Sequence, residues 1–262
     1  MEREFVGLAS PIVGRAGAGG HPCQGVYHRP RGIRPTVAII ATHYNIDFSE
    51  HYLAGPCATR GIGFLGWNTR FRGAEAYFLL DHAVAEIAVG INWLRQKAGV
   101  DTVVLLGNSG GGSLMAAYQS QAIEPNLTPE YGRTSIVPSA FEIPRADLYV
   151  SVAAHPGRPE VLTNWMDPSV EEESDPLSVI PDLDPFADER EVPFTPNFIE
   201  KYRDAQRRRN HRITDWARNE IDRVVAAGHY DRLFTTPRLW GDLRMIDGSI
   251  DPNKRQFPSC YL

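Results

Sequence analysis

Val103-Val104-Leu105-Leu106-Gly107-Asn108-Ser109-Gly110-Gly111-Gly112-Ser113-Leu114-Met115 is the stretch on which the reading of this chain turns. An apolar run that begins with two β-branched residues meets a glycine cluster holding one serine, and a segment rich in Ala, Leu and Met follows. That is the order strand, tight turn, helix. The glycines have a steric reason: at so sharp a turn the serine backbone is strained, and the flanking positions must lack a Cβ. The strain lifts the Ser109 hydroxyl clear of the strand and leaves the Gly110 N–H at the start of a helix, where negative charge is favoured.

Gly107-Asn108-Ser109-Gly110-Gly111 fits G-x-S-x-G, the pattern of a nucleophile elbow, so Ser109 is the candidate nucleophile and the Gly110 N–H a candidate oxyanion donor. A five-residue match also arises by chance, but the flanking strand and helix are the setting the motif demands. A phosphate-binding loop would need a Gly-Lys-Ser/Thr ending, and a dinucleotide site a Gly-x-Gly-x-x-Gly. Neither is present at this turn.

Composition narrows the classes of function. The 262 residues are enough for one large α/β domain or two small ones. A formal net charge of -5 gives no case for nucleic acid as a partner. Cys23, Cys57 and Cys260 are too few, and odd in number, for a disulfide framework. The acidic start Met1-Glu2-Arg3-Glu4-Phe5 lacks the regions of a secretory signal, and no apolar run has membrane-spanning length, so a cytoplasmic location is expected. The histidines are scattered, with no His-x-x-x-His and no cysteine pair, so neither a metal nor a cofactor is expected.

Outward from the elbow, the chain alternates. Glu2 to Leu8 and Gly25 to His28 read as a hairpin at a sheet edge, joined through the loop that starts at Gly14. Thr36 to Thr42 has no polar alternation and reads as a strand buried on both faces of a parallel sheet. It ends in His43-Tyr44-Asn45, at the edge where ligands of open α/β sheets collect, and a loop N–H there would be a second oxyanion donor. The alternative is that His43 caps the strand and Asn45 makes a local turn. Ser49 to Cys57 reads as a short helix and Gly61 to Asn68 as another buried strand. Between Gly73 and Ala98, Leu80, Val84, Ile87, Ile91 and Leu94 recur at helical spacing, with Asp81, Glu86, Arg95 and Lys97 off the stripe. Pro138 to Pro144 is irregular, and Asp147 to His155 reads as one more buried strand. Beyond Pro156 the acidic, proline-rich segments at Asp167 and Ile180 read as loop, and Phe198 to Ala227 as a polar helical region. Its run Arg207-Arg208-Arg209 reads as a solvated face or as part of a lid. Arg238 to Leu262 shows no definite strand.

Over about residues 25 to 157 the sequence resembles the α/β-hydrolase family. The strand ending in His43-Tyr44-Asn45, the strand Phe64 to Asn68, the amphipathic helix and the elbow carry the resemblance. It implies an α/β fold with a mostly parallel, doubly wound sheet and a helical cap insertion, matched by Phe198 to Ala227. It also implies a triad in the chain order Ser, acid, His, with Ser109 as nucleophile and the N–H of Gly110 plus one near Tyr44 or Asn45 as oxyanion hole. After Ser109 the histidines are His155, His211 and His229, none following a final strand; His155, at the carboxyl end of its strand, is the candidate base. Asp167 and Asp175 are the acid candidates, although each Asp-Pro is equally a turn former. The pattern reads as a hydrolase core at 1–157, a loop and cap at 158–237 and an uncertain segment at 238–262, C-terminally incomplete before the last two strands of the family. The expectation is a serine hydrolase acting on a small-molecule carboxylic ester or thioester through an acyl-Ser109 intermediate, with transfer to an acceptor other than water left open. The alternative is a truncated or catalytically inactive domain with a binding role.

Overall fold

The computed structural model describes residues 1–12, 20–128, 143–229, 232, 234 and 236. Most of the Gly14 loop, the irregular segment up to Glu142 and the segment 238–262 lie outside the described residues. The chain divides into two compact units, Met1–Arg158 and Pro159–Leu262.

The first unit is built on a six-stranded sheet. Its strands are β1 (Glu2–Leu8), β2 (Cys23–Arg29), β3 (Val37–Ala41), β4 (Gly63–Asn68), β5 (Thr102–Asn108) and β6 (Leu148–Val152). They lie in the order β1-β2-β4-β3-β5-β6. The two edge pairings β1–β2 and β2–β4 are antiparallel, whereas β4, β3, β5 and β6 run parallel. Side-chain alternation then divides the apolar runs between two faces. Ile40, Leu65, Trp67, Val103 and Leu105 pack with α2 (Leu80–Trp93) and with Leu114, Met115 and Tyr118 of α3 (Gly111–Ile123). Ala41, Phe64 and Leu106 face the other way, with Ala54 of α1 (Ala54–Ala58). Helices on both faces make this a doubly wound α/β fold with a mainly parallel central sheet.

Four expectations are corrected here. The Ser49 to Cys57 helix is only the short α1, because His51 accepts the Leu53 N–H in a turn before it. α2 starts at Leu80, preceded by a 3-10 turn at Glu75–Tyr77, and Gly99 closes the helical stretch at φ 67. Glu86, set apart from the apolar stripe, is fully buried: its carboxylate takes the Arg70 N–H at 2.8 Å and the Arg70 guanidinium at 2.5 Å. β6 is not a buried strand; among the described residues it pairs only with β5, and Leu148 and Val150 are 58% and 44% exposed.

α4 (Arg158–Trp165) begins on the last residue of the first unit, and in the second unit it leads into the hairpin β7 (Val170–Glu172) and β8 (Asp175–Val179), followed by α5 (Pro196–Ala226). The acidic segment is therefore not a loop. Glu172 pairs with Asp175, leaving Glu173-Ser174 as a two-residue turn. α5 starts where Thr195 Oγ1 accepts the Phe198 N–H ahead of Pro196 at the first turn. The arginine run splits. Arg207 and Arg208 are exposed, but Arg209 is fully buried, its Nε and Nη2 on Glu173 at 2.7 and 2.6 Å and its Nη1 on the Asp167 carbonyl. Residues on a helix advance by about 100° each, so three consecutive arginines cannot share one face.

Among the described residues, no helix is long and apolar enough to cross a membrane, no group of His, Cys, Asp and Glu is arranged to hold a metal ion, and Cys23 and Cys57 are free thiols.

Candidate active site

Ser109 follows the last residue of β5 and has φ 55, a conformation that costs a residue with a Cβ of the order of 1–3 kcal/mol and that surrounding structure must over-determine. The surroundings do so. Ser109 N–H donates to Val152 O at 3.2 Å, and Ser109 O accepts from the N–H groups of Gly112 at 3.0 Å and His155 at 2.9 Å. The glycines let neighbouring chain approach. A Cβ at Gly111 would lie 2.2 Å from the Thr42 carbonyl oxygen, one at Gly112 2.3 Å from Ala154 Cβ, and one at Gly107 2.7 Å from Gly112 Cα. Gly110 is the N-cap of α3, where the first helical N–H groups lack intrahelical partners.

His155 reaches the serine from the loop after β6, with its Nε2 3.5 Å from Ser109 Oγ. Loop 153–155 is itself bent sharply, with Ala153 at φ 44. No glycine marks that position, so the sequence carries no signal for it.

The loop after β3 covers the other side of the elbow. A Cβ at Gly110 would meet Tyr44 Cε1 at 2.2 Å and His43 Nε2 at 2.7 Å. His43 is buried, and its Nδ1 accepts the N–H groups of Asn45 and Ile46, each at 3.2 Å. The neutral ring therefore carries its proton on Nε2, the atom turned toward Gly110. Burial first, then the proximity of His155 and of the Arg158 guanidinium, lowers the His43 pKa to about 4. His43 thus serves the loop as an acceptor rather than as a strand cap. The Asn45 N–H is committed to that acceptor, and Asn45 Nδ2 to Glu75 Oε2 at 2.9 Å. Of the two loop positions expected to supply an oxyanion donor, Tyr44 and Asn45, the N–H of Asn45 is thus bonded within its own loop in this structure.

Asn108 is locked behind the serine. Its Nδ2 donates to Val152 O at 2.9 Å, and its Oδ1 accepts the Nε2 proton of His51 at 3.1 Å, while His51 Nδ1 takes the Leu53 N–H. Burial lowers the His51 pKa and the bond to Asn108 opposes that shift. Neither histidine at 43 or 51 follows a motif, and only folding shows their roles.

Asp167 and Asp175 belong to the second unit. Asp167 is buried and its Oδ1 accepts both the N–H and the hydroxyl of Ser169, at 3.0 and 2.6 Å; Asp175 Oδ1 accepts the Leu177 N–H at 3.0 Å. Each makes the local turn that an Asp-Pro favours. His211 and His229 are in the same unit, in and just beyond α5.

No protein-family model and no curated protein matches the chain. Among solved structures it is similar to a bacterial brefeldin A esterase described as a homologue of human hormone-sensitive lipase, with 19% identity over 47% of this chain and 35% of that one and a TM-score of 0.38. It is similar also to a thermophilic esterase from the planctomycete Thermogutta terrifontis, with 16% identity over 58% and 52% of the two chains and a TM-score of 0.38. A third is a serine hydrolase without a lid from Xanthomonas campestris, with 18% identity over 57% and 70% and a TM-score of 0.32. The matched region thus spans little more than a third of the first of these proteins.

Proposed function

We propose that this chain is a serine hydrolase of the α/β-hydrolase type that cleaves a small-molecule carboxylic ester or thioester through an acyl-Ser109 intermediate. One observation carries the reading: Ser109 is held at φ 55 at the head of α3 with its hydroxyl 3.5 Å from the His155 imidazole. Working general bases stand roughly 2.6–3.2 Å from the heavy atom whose proton they take, and such contacts are often longer without substrate.

Ser109 Oγ attacks the substrate carbonyl as His155 Nε2 takes its proton. The oxyanion is held by the Gly110 N–H and by the loop N–H at Tyr44, and the positive end of α3 favours the same charge. Collapse expels the alcohol or thiol, which receives the proton from His155. Water then adds to the acyl-serine with His155 again as base, and the acid leaves. Asp167 and Asp175 use their Oδ1 atoms for their own turns, so neither is given a step.

A fluorophosphonate probe tests the reading. The wild type should label and Ser109→Ala should not, and 4-nitrophenyl acetate hydrolysis should vanish with the labelling. Equal labelling of the two proteins would remove Ser109 as the nucleophile, and no labelling of either would favour a catalytically inactive domain.

A further inference from the structure

Arg158 closes the first unit three residues after His155. Its guanidinium lies over the Tyr44 ring, with Cζ 4.0 Å from the ring centroid, and 5.8 Å from that of Phe78. Nη2 pairs with Glu75 Oε1 at 2.8 Å, and Glu75 Oε2 holds the Asn45 amide. The other arm, Nη1, is buried and has no hydrogen-bond partner among the described residues. The Tyr44 ring is the same one whose Cε1 a Cβ at Gly110 would strike. One aromatic ring therefore separates the guanidinium from the elbow.

An unpaired buried guanidinium N–H is costly, and native structures rarely leave one without a reason. Glu75 neutralises the charge through one arm only. The planar fork can take a second carboxylate through the other, and the aromatic bed keeps the guanidinium flat and partly dehydrated, which strengthens such a bond.

We propose that Arg158 makes the Ser109 site selective for esters or thioesters whose acyl chain ends in a carboxylate, with Nη1 binding that carboxylate while Nη2 stays on Glu75. The inference deepens the serine hydrolase reading and rests on it. The substrate class is then the half-esters or half-thioesters of short dicarboxylic acids. Their terminal carboxylate crosses the Tyr44 ring while the carbonyl at the other end meets Ser109. Hydrolysis would release the dicarboxylate.

The test compares mono-4-nitrophenyl glutarate with 4-nitrophenyl pentanoate, which share chain length and differ in a terminal carboxylate or methyl. Wild type should favour the glutarate ester by about tenfold or more in kcat/KM, the strength of one charge-assisted hydrogen bond. Arg158→Gln should bring the ratio near unity. A wild-type ratio at or below unity, or a ratio that survives Arg158→Gln, overturns the proposal. If circular dichroism shows that Arg158→Gln does not fold, Arg158→Lys replaces it and should cut the ratio at least threefold, since lysine keeps the charge and loses the fork; an unchanged ratio overturns the proposal. Calorimetric titration of Ser109→Ala with glutarate separates this from the hydrolase reading. Glutarate binding that weakens about tenfold on adding Arg158→Gln supports the Arg158 site even if neither ester turns over, and absence of binding overturns it.

Discussion

Ser109 and His155 are joined twice: the His155 N–H donates to the Ser109 carbonyl at 2.9 Å, and the His155 Nε2 stands 3.5 Å from the Ser109 hydroxyl. The backbone link fixes where the loop passes, so the imidazole needs only a rotamer adjustment to close on the hydroxyl. The strain at Ser109 and Ala153 is held on either side of that link.

His155→Ala should lower kcat for 4-nitrophenyl acetate by about 10²–10⁴, the usual contribution of a positioned general base, with the fold intact by circular dichroism. A loss under about twofold would remove His155 from the mechanism, because a base that matters cannot be so cheaply replaced by water.

Gly111→Ala should destabilise the first unit by about 1–3 kcal/mol. The new Cβ would lie 2.2 Å from the Thr42 carbonyl, and a backbone atom at the end of β3 yields less readily than a side-chain tip. Urea unfolding reads the change as a shifted midpoint; an unshifted one would mean that β3 and the head of α3 are not in this contact.

His43 sets an acid limit on stability. Its folded pKa is about 4 against the ordinary 6.5, so between those values the unfolded chain binds more protons than the folded one. Stability therefore rises with pH across that window and is lost as pH falls from about 6.5 to 4, by up to about 3 kcal/mol, and the slope ends below pH 4. His51 shifts in the same direction, so the measurement is the difference in slope between wild type and His43→Gln. Parallel slopes would show that His43 is not held neutral.

The elbow, the buried β3, β4 and β5, the edge hairpin and the helical stripe of α2 were legible because each is written in a run of neighbouring residues. Glycines in a row around one serine announce a tight strand-to-helix turn whatever packs on it. Burial of charge was not legible. Glu86 and Arg209 carry the composition of a solvated face, and they are buried because Arg70 and Glu173, distant in sequence, arrive to pair with them. Nor does any local pattern tell an edge strand from an interior one, which is why β6, at the edge of the sheet among the described residues, reads as buried from sequence.

The site divides along the same line. By itself the sequence determined that Ser109 would be lifted on a strained turn with a helix N-terminus beside it, since backbone sterics act over a few residues. Only the tertiary structure decided its company: His155 at the hydroxyl, His43 turned toward Gly110 while holding the Asn45 N–H, and Arg158 across the Tyr44 ring. Those relationships join residues up to 114 positions apart, as from Tyr44 to Arg158 (158 − 44 = 114). They depend on how the parallel strands are ordered in the sheet, because that order sets which loops share its carboxyl edge.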